Sequence, residues 1–275
     1  MDRQRESGTV QVPGARVYYE AAGAGHPLVL IHAGVADHRM WDEPFVAFAR
    51  HYRVVRYDTR GYGASVTEDI EFSNRQDLAA LLDHLDIDQA HLLGVSRGGQ
   101  IAVDFTLERP SRVSALVMVA SGPGGFKSPD PTPEVETKMF DEMEAAWTAK
   151  DFERLADLEV RFWVDGPGQP EGRVPAPIRE RVREMILHNY RTHTAEGKPQ
   201  PLTPPAAGRL GEIPLPALIV TGDLDTSHIR AAAEFLAQHI ANARKVVLPG
   251  TAHMLSLEQP EEFTRVVLDF LRGIC

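Results

Sequence analysis

His91-Leu92-Leu93-Gly94-Val95-Ser96-Arg97-Gly98-Gly99-Gln100-Ile101-Ala102 is the stretch whose reading decides the fold. An apolar run through Leu92 and Leu93 turns sharply at Gly94-Val95-Ser96-Arg97-Gly98, and a helical pattern starts directly after it. Strand, tight turn and helix are the context in which G-x-S-x-G is a nucleophile elbow. The glycines are needed because the turn is strained and its flanks are crowded, so a side chain at Gly94 or Gly98 would clash with a neighbouring strand or helix. Such a turn lifts the Ser96 hydroxyl clear of the sheet edge. It also aims the first free amides of the following helix at the same space, where developing negative charge is favoured.

The flanking sequence alternates strands with helices. Thr9–Val12 and Arg16–Glu20, separated by Pro13-Gly14, read as an opening hairpin. Leu28–Ile31 is a short apolar run suited to a strand covered on both faces, and Tyr52–Tyr57 is another strand. Met40–Arg50 between them reads as a helix. Ser73 opens a capping box with Gln76, followed by Leu78, Leu81, Leu82 and Leu85 on one helical face. After the elbow, Val113–Ala120 is again a buried strand.

The pattern then breaks. Fourteen of the 20 prolines fall between Pro123 and Pro216, and apolar helical patches lie between them. One patch runs from Met139 through Met143 and Trp147 to Phe162-Trp163, and another holds Ile178, Val182, Met185 and Ile186. The alternation resumes with strands at Pro216–Thr221 and Lys245–Leu248 and helices at Ile229–Ile240 and Glu261–Leu271. The expected architecture is therefore α/β: a mostly parallel eight-stranded sheet flanked by helices, built from residues 1–122 and 213–275. Residues 123–212 read as an inserted helical cap.

Composition narrows the function. With 275 residues, 43% hydrophobic and 25% charged, the chain can bury a full core. A formal charge of -10 and the lack of a Lys/Arg cluster argue against nucleic acid and against anionic lipid. The single cysteine, Cys275, excludes an internal disulfide. Met1–Gly8 carries no apolar stretch, so no signal peptide is read there, and no run approaches a membrane span. A cytoplasmic protein is the expectation, and a homodimer is compatible with the sequence, which does not fix the oligomeric state.

A serine hydroxyl is a poor nucleophile without a base, and the base needs a carboxylate to hold its tautomer and orientation. In a parallel sheet such groups collect in loops at the carboxyl ends of strands. His253, in the loop after the strand ending at Leu248, is the histidine in that position that follows both Ser96 and a candidate acid. The remaining histidines, including His188 and His193 in the cap, read as solvated rather than functional, except His32, which is expected to orient its own loop by hydrogen bonds. After the strand ending at Thr221, Gly222-Asp223-Leu224-Asp225 offers two carboxylates. Asp225 is the better candidate, since Asp223 directly follows the turn glycine and can simply complete the turn. The chain order Ser96, Asp225, His253 is the one expected for this motif class. Two backbone donors are needed for the oxyanion. The amide of Arg97 is one, and Gly34, in the loop His32-Ala33-Gly34-Val35, is the choice for the other. No metal and no cofactor is implied. His32, Val35, Met143, Trp147, Trp163 and Met254 are the candidates for the substrate pocket.

With these residues in hand the chain resembles the α/β-hydrolase family over nearly its whole length. The resemblance rests on His32-Ala33-Gly34, Asp58-x-Arg60-Gly61-x-Gly63-x-Ser65, Gly94–Gly99, Gly222-x-x-Asp225, and Gly250-x-x-His253 followed by Glu258-x-Pro260, in that order. Within the family it is similar to small esterases, lactonases such as the 3-oxoadipate enol-lactonase group, and cofactor-free peroxidase relatives. Two positions depart from the family's pattern: Ala33 stands where glycine usually follows the histidine, and Arg97 stands where the residue after the nucleophile is usually uncharged. The resemblance implies a serine hydrolase of a small or medium ester or lactone. The same triad would also serve carbon–carbon bond hydrolysis or perhydrolase chemistry, and a non-catalytic receptor for a small ligand is the rival from a different class. For the Arg97 side chain the expectation is a structural role rather than contact with a substrate carboxylate.

Overall fold

A computed structural model describes residues 5–193, 195 and 197–274. Cys275 and residues 1–4 lie outside the described residues. The first half of the chain forms β1 (Glu6–Val12), β2 (Ala15–Gly23), β3 (Pro27–Ile31), α1 (Asp42–Phe48), β4 (Arg53–Tyr57), β5 (Val66–Thr67), β6 (Glu71–Phe72), α2 (Asn74–His84), β7 (Ala90–Val95), α3 (Arg97–Glu108) and β8 (Val113–Val119). The second half forms α4 (Glu134–Thr148), α5 (Phe152–Glu159), a π-helical turn (Val160–Asp165), α6 (Ala176–Thr192), β9 (Lys198–Pro199), β10 (Ala217–Gly222), α7 (Ser227–His239), β11 (Ala243–Leu248), α8 (Leu255–Glu258) and α9 (Pro260–Leu271).

The main sheet runs β1-β2-β4-β3-β7-β8-β10-β11. The β1–β2 hairpin and its join to β4 are antiparallel, whereas every pair from β4 to β11 is parallel. These are the eight expected strands. The two-residue β5 adds a ninth by pairing with β2, and β6 and β9 form a separate small parallel sheet. The expected helix over Met40–Arg50 is shorter: a 3₁₀ turn at His38–Trp41 precedes α1 because Asp37 caps it, accepting from the Arg39 amide.

Apolar side chains divide between two faces. On one face Leu78, Leu81 and Leu82 of α2, Ile101 and Phe105 of α3, and Ala233 and Leu236 of α7 pack against the sheet. On the other, Phe45, Phe48, Phe263 and Val267 of α1 and α9 pack, joined by Val182, Met185 and Ile186 of α6. Burying β3 on both faces explains its unbroken apolar run, with Leu28–Ile31 fully inaccessible. Ser73 caps α2 by accepting from the Gln76 amide, as its capping box predicts.

Helices α4, α5 and α6 all lie between β8 and β10. Beyond the α6 side chains already placed in the core, polar contacts attach them to the rest of the chain. Glu136 of α4 accepts from the backbone N–H and hydroxyl of Ser227 at the start of α7, at 2.8 Å each. Arg181 of α6 pairs with Asp42 and Glu43 of α1. Leu202, Ala206 and Leu210, inside the stretch expected to be a cap, instead pack in the sheet's core with α2 and α3 residues. The α-helices between β8 and β10 therefore end before them. Among the described residues no helix is long and apolar enough to cross a membrane.

Candidate active site

The turn between β7 and α3 is as crowded as its glycines suggest. A β-carbon on Gly94 would lie 2.2 Å from the Gly98 carbonyl, and one on Gly98 would lie 2.3 Å from the Ile31 carbonyl oxygen. Gly99 is equally confined, with the Ser121 side chain 2.6 Å from where its β-carbon would be. Ser96 itself sits at φ 54°, a left-handed conformation that non-glycine residues avoid. Two bonds hold it there: its N–H donates to Val119 O at 2.8 Å, and its carbonyl accepts from the Ser121 hydroxyl at 2.7 Å. The side chain remains partly exposed at the carboxyl end of β7.

Two further groups meet at the same edge of the sheet. Asp225 follows β10 and His253 follows β11. Nδ1 of His253 lies 2.9 and 3.0 Å from the two Asp225 carboxylate oxygens. Both residues are buried, at 2% and 4% exposure, so water does not compete for the contact. A carboxylate at Nδ1 makes that nitrogen the donor and leaves Nε2 free to accept. Asp225 is fixed in turn by the Thr226 N–H at 2.7 Å. Asp223 does something else: it accepts from the Gly250 N–H at 2.7 Å, tying the acid loop to the histidine loop.

The loop after β3 packs beside the elbow. A β-carbon on Gly34 would touch the Arg97 side chain at 3.7–3.8 Å, so the two expected amide donors belong to adjoining residues. His32 is fully buried beneath that loop. Its Nε2 accepts from the Thr59 N–H at 3.0 Å and its Nδ1 donates to Ala33 O at 2.7 Å. Burial lowers its pKa, so it stays neutral and braces the loop. The Arg97 guanidinium donates to Thr59 Oγ1 at 2.7 Å and to Asn74 Oδ1 at 3.4 Å, and stands 4.8 Å over the Tyr62 ring. Its partners are neutral groups of the body.

A cavity of about 750 Å³ opens between α4–α6 and the body. Gly34 and Val35 form its edge nearest the elbow, and Tyr62 with Gly61 line one side. Trp147, Phe152, Ile186 and Tyr190 of α4, α5 and α6 supply an apolar and aromatic wall. Of the expected pocket residues, Val35 and Trp147 line this cavity. Trp163 instead lies against His253, with ring centroids 4.6 Å apart. His32 is sealed under the β3 loop. Met143 packs in a small cluster with Leu155, Leu158 and Phe162, and Met254 is fully buried in the larger core cluster, so neither lines this cavity. A helical apolar stripe reads the same in sequence whether it faces a core or a cavity.

The chain matches the Alpha/beta hydrolase family over residues 28–266. It belongs to that family. A 2-hydroxy-6-oxononadienedioate/2-hydroxy-6-oxononatrienedioate hydrolase from Burkholderia vietnamiensis is 32% identical over 94% of this chain and 91% of its own length. The 3-oxoadipate enol-lactonase 1 of Acinetobacter baylyi is 28% identical over 86% and 85%. Among solved structures, the enol-lactonase from Burkholderia xenovorans superposes with a TM-score of 0.73 at 25% identity, covering 96% of this chain and 100% of that one.

Two features of this alpha/beta hydrolase escaped the sequence reading. His188 and His193, expected to be solvated, both direct Nε2 at the Gly63 carbonyl, at 3.2 and 3.1 Å. Between them Asn189 accepts from the Gly63 N–H at 3.0 Å and donates to Ala36 O at 3.3 Å. The end of α6 is thus latched onto the glycine loop of the body. The only local hint in sequence is the i, i+1, i+5 spacing of these three polar residues after an apolar stripe. The second feature is the acidic trio Asp37, His38 and Asp58, whose ligand atoms lie within 4.8 Å of one another. Each is already engaged, Asp37 by Arg39 and Asp58 by His38 and the Ala64 N–H, so the trio reads as a structural network rather than a metal centre.

Proposed function

We propose that this alpha/beta hydrolase is a serine hydrolase that cleaves a small or medium carboxylic ester or lactone through an acyl-enzyme. The observation that carries this reading is the buried contact of His253 Nδ1 with Asp225, at the same sheet edge as a strained Ser96. In the proposed cycle Ser96 Oγ attacks the carbonyl while His253 Nε2 takes its proton. The first amides of α3, Arg97 foremost, and the amide of Gly34 receive the oxyanion, donors whose loss typically costs about 10²- to 10³-fold in rate. His253 then delivers the proton to the leaving alcohol and activates the water that frees the acid. Asp225 holds the imidazole in the tautomer this needs. The substrate's remainder occupies the cavity beneath the helical cap, against Trp147, Phe152 and Tyr190.

A second reading is supported by the Burkholderia vietnamiensis relative, whose name gives a carbon–carbon hydrolase substrate, a dienedioate, at 32% identity. The same three groups could cleave a carbon–carbon bond next to a ketone, and the fold does not choose between the two reactions. One panel separates them: p-nitrophenyl butyrate and simple lactones on one side, a 2-hydroxy-6-oxo-dienoate followed by its visible absorbance on the other. Each is run against wild type and Ser96→Ala. Ester or lactone turnover abolished by Ser96→Ala, with the melting temperature unchanged, supports the leading reading. Turnover of the dienoate alone supports the second. Activity retained in Ser96→Ala would overturn both, and thermal stabilisation by these compounds without turnover would favour a receptor.

A further inference from the structure

The helical insertion reaches the loop that carries His253 at two places, Trp163 of the π-helical turn and Arg173. Arg173 donates from Nε to Asp165 O at 2.6 Å and from Nη2 to Val164 O at 2.8 Å, both at the end of the π-helical turn. The same guanidinium donates from Nη1 to Gly250 O at 2.7 Å and from Nη2 to Glu258 Oε2 at 2.5 Å. Glu258 in turn accepts the backbone N–H of Ala252, the residue before His253, at 3.0 and 3.2 Å. The His253 N–H itself donates to Trp163 O, inside the π-helical turn, at 3.2 Å. Arg173 is fixed at its root as well, since Asp165 accepts from the Gly172 and Val174 amides on either side of it.

A planar guanidinium that binds four groups in one geometry transmits position in a way a lysine point charge cannot. The Glu258 side chain is 4% exposed and that of Arg173 17%, so the pair is largely screened from water. The other groups packed at this junction are Asp225 on His253 and Asp223 on Gly250. The histidine loop is therefore gripped from two sides: by two aspartates of the body and by the insertion through Arg173. π-helical turns are rare and recur at functional sites, and this one contributes three carbonyls to the arrangement.

We propose that Arg173 is a positioning residue for His253, acting through Glu258 and the Gly250–Ala252 backbone, so that the helical insertion sets the aim of the base. This rests on the reading of His253 as the base. The test uses the full chain with Arg173→Lys, Arg173→Gln and Glu258→Gln, each made in wild type and in Asp225→Asn, with p-nitrophenyl butyrate as the probe. Arg173→Gln and Glu258→Gln lower kcat by about 10- to 100-fold, the range a small misplacement of a reacting group produces. KM stays nearly constant and Arg173→Lys recovers part of the loss. In the Asp225→Asn background, where the imidazole is already in the wrong tautomer and no longer acts as the base, the same changes cost much less.

Equal losses in both backgrounds would reduce Arg173 to a structural role and overturn the proposal, as would an unchanged kcat. If Arg173→Gln does not fold, Glu258→Gln, which keeps the size and an acceptor for Ala252, carries the test alone. Should wild type cleave neither ester nor lactone, the proposed function fails while this inference stays testable. The pH titration of the His253 ring by NMR then moves in Arg173→Gln and Glu258→Gln if the proposal holds. An unmoved titration in both variants overturns it.

Discussion

Asp223 and Asp225 stand two residues apart and grip the same loop at different points, Asp223 at the Gly250 N–H and Asp225 at the His253 ring. One bond fixes where the loop begins and the other fixes the tautomer of the residue at its end. Asp225→Asn should therefore lower turnover by about 10³- to 10⁴-fold, because an amide at Nδ1 favours the wrong tautomer. Asp223→Asn keeps an acceptor for Gly250 and should cost less than about 10-fold, in line with a change that leaves the reacting groups in place. Comparing kcat of the two variants side by side checks this, and a larger loss at position 223 would reverse the assignment.

Arg97 offers a second test. Its guanidinium is occupied by Thr59, Asn74 and the Tyr62 ring. Arg97→Met should lower stability by about 1–3 kcal/mol, the range for a hydrogen bond from a charged donor with a cation–π contact. It should change kcat/KM equally for neutral and carboxylate-bearing esters. A loss confined to the carboxylate-bearing esters would mean that the side chain leaves Thr59 to meet substrate.

Glu159 predicts a pH-dependent stability. Its Oε1 accepts from the Tyr190 hydroxyl at 2.8 Å, while Oε2 is buried without a partner. Burial pushes its pKa up from 4.5 to about 7, a shift the Tyr190 bond only partly offsets. The folded state thus favours the protonated acid. The stabilisation is complete below about pH 4.5 and is lost as the pH rises through about 7. Glu159→Gln keeps an acceptor for Tyr190 and removes the titration. It should match wild type at pH 4 and exceed it at pH 8.5, by on the order of 3 kcal/mol. Urea unfolding at the two pH values measures this. A variant weaker than wild type at pH 8.5 would show that Glu159 is stabilised as the anion.

How much of this was legible in the sequence depends on the range of the contact. The positions of the eight strands and the strand–turn–helix of the elbow are, because period-2 and period-3.6 patterns and the crowded glycines are local signals; the order of the strands in the sheet is not. Asp225 and His253 were placed by the rule that such groups follow strand ends. Arg173 was not singled out, although Glu258 was noted in its motif: four bonds from one guanidinium to carbonyls and a carboxylate up to 85 residues away leave no periodic trace. His188 is exposed, as expected, but the contacts that it and His193 make to a backbone carbonyl more than 120 residues distant leave no local trace either. Met143 and Met254 were expected at the pocket because apolar spacing alone does not say which void a side chain faces.

The latch at Gly63 has one more consequence. His188, Asn189 and His193 hold main-chain atoms of the 58–65 loop, not its side chains. The distance between the Tyr190 wall and Tyr62 is therefore set by how many residues that loop contains. Point substitutions in relatives can change the chemistry of this wall while keeping its span. A single insertion or deletion between Asp58 and Ser65 would resize the cavity, making loop length the quantity to compare when substrates of different bulk are assigned across the family.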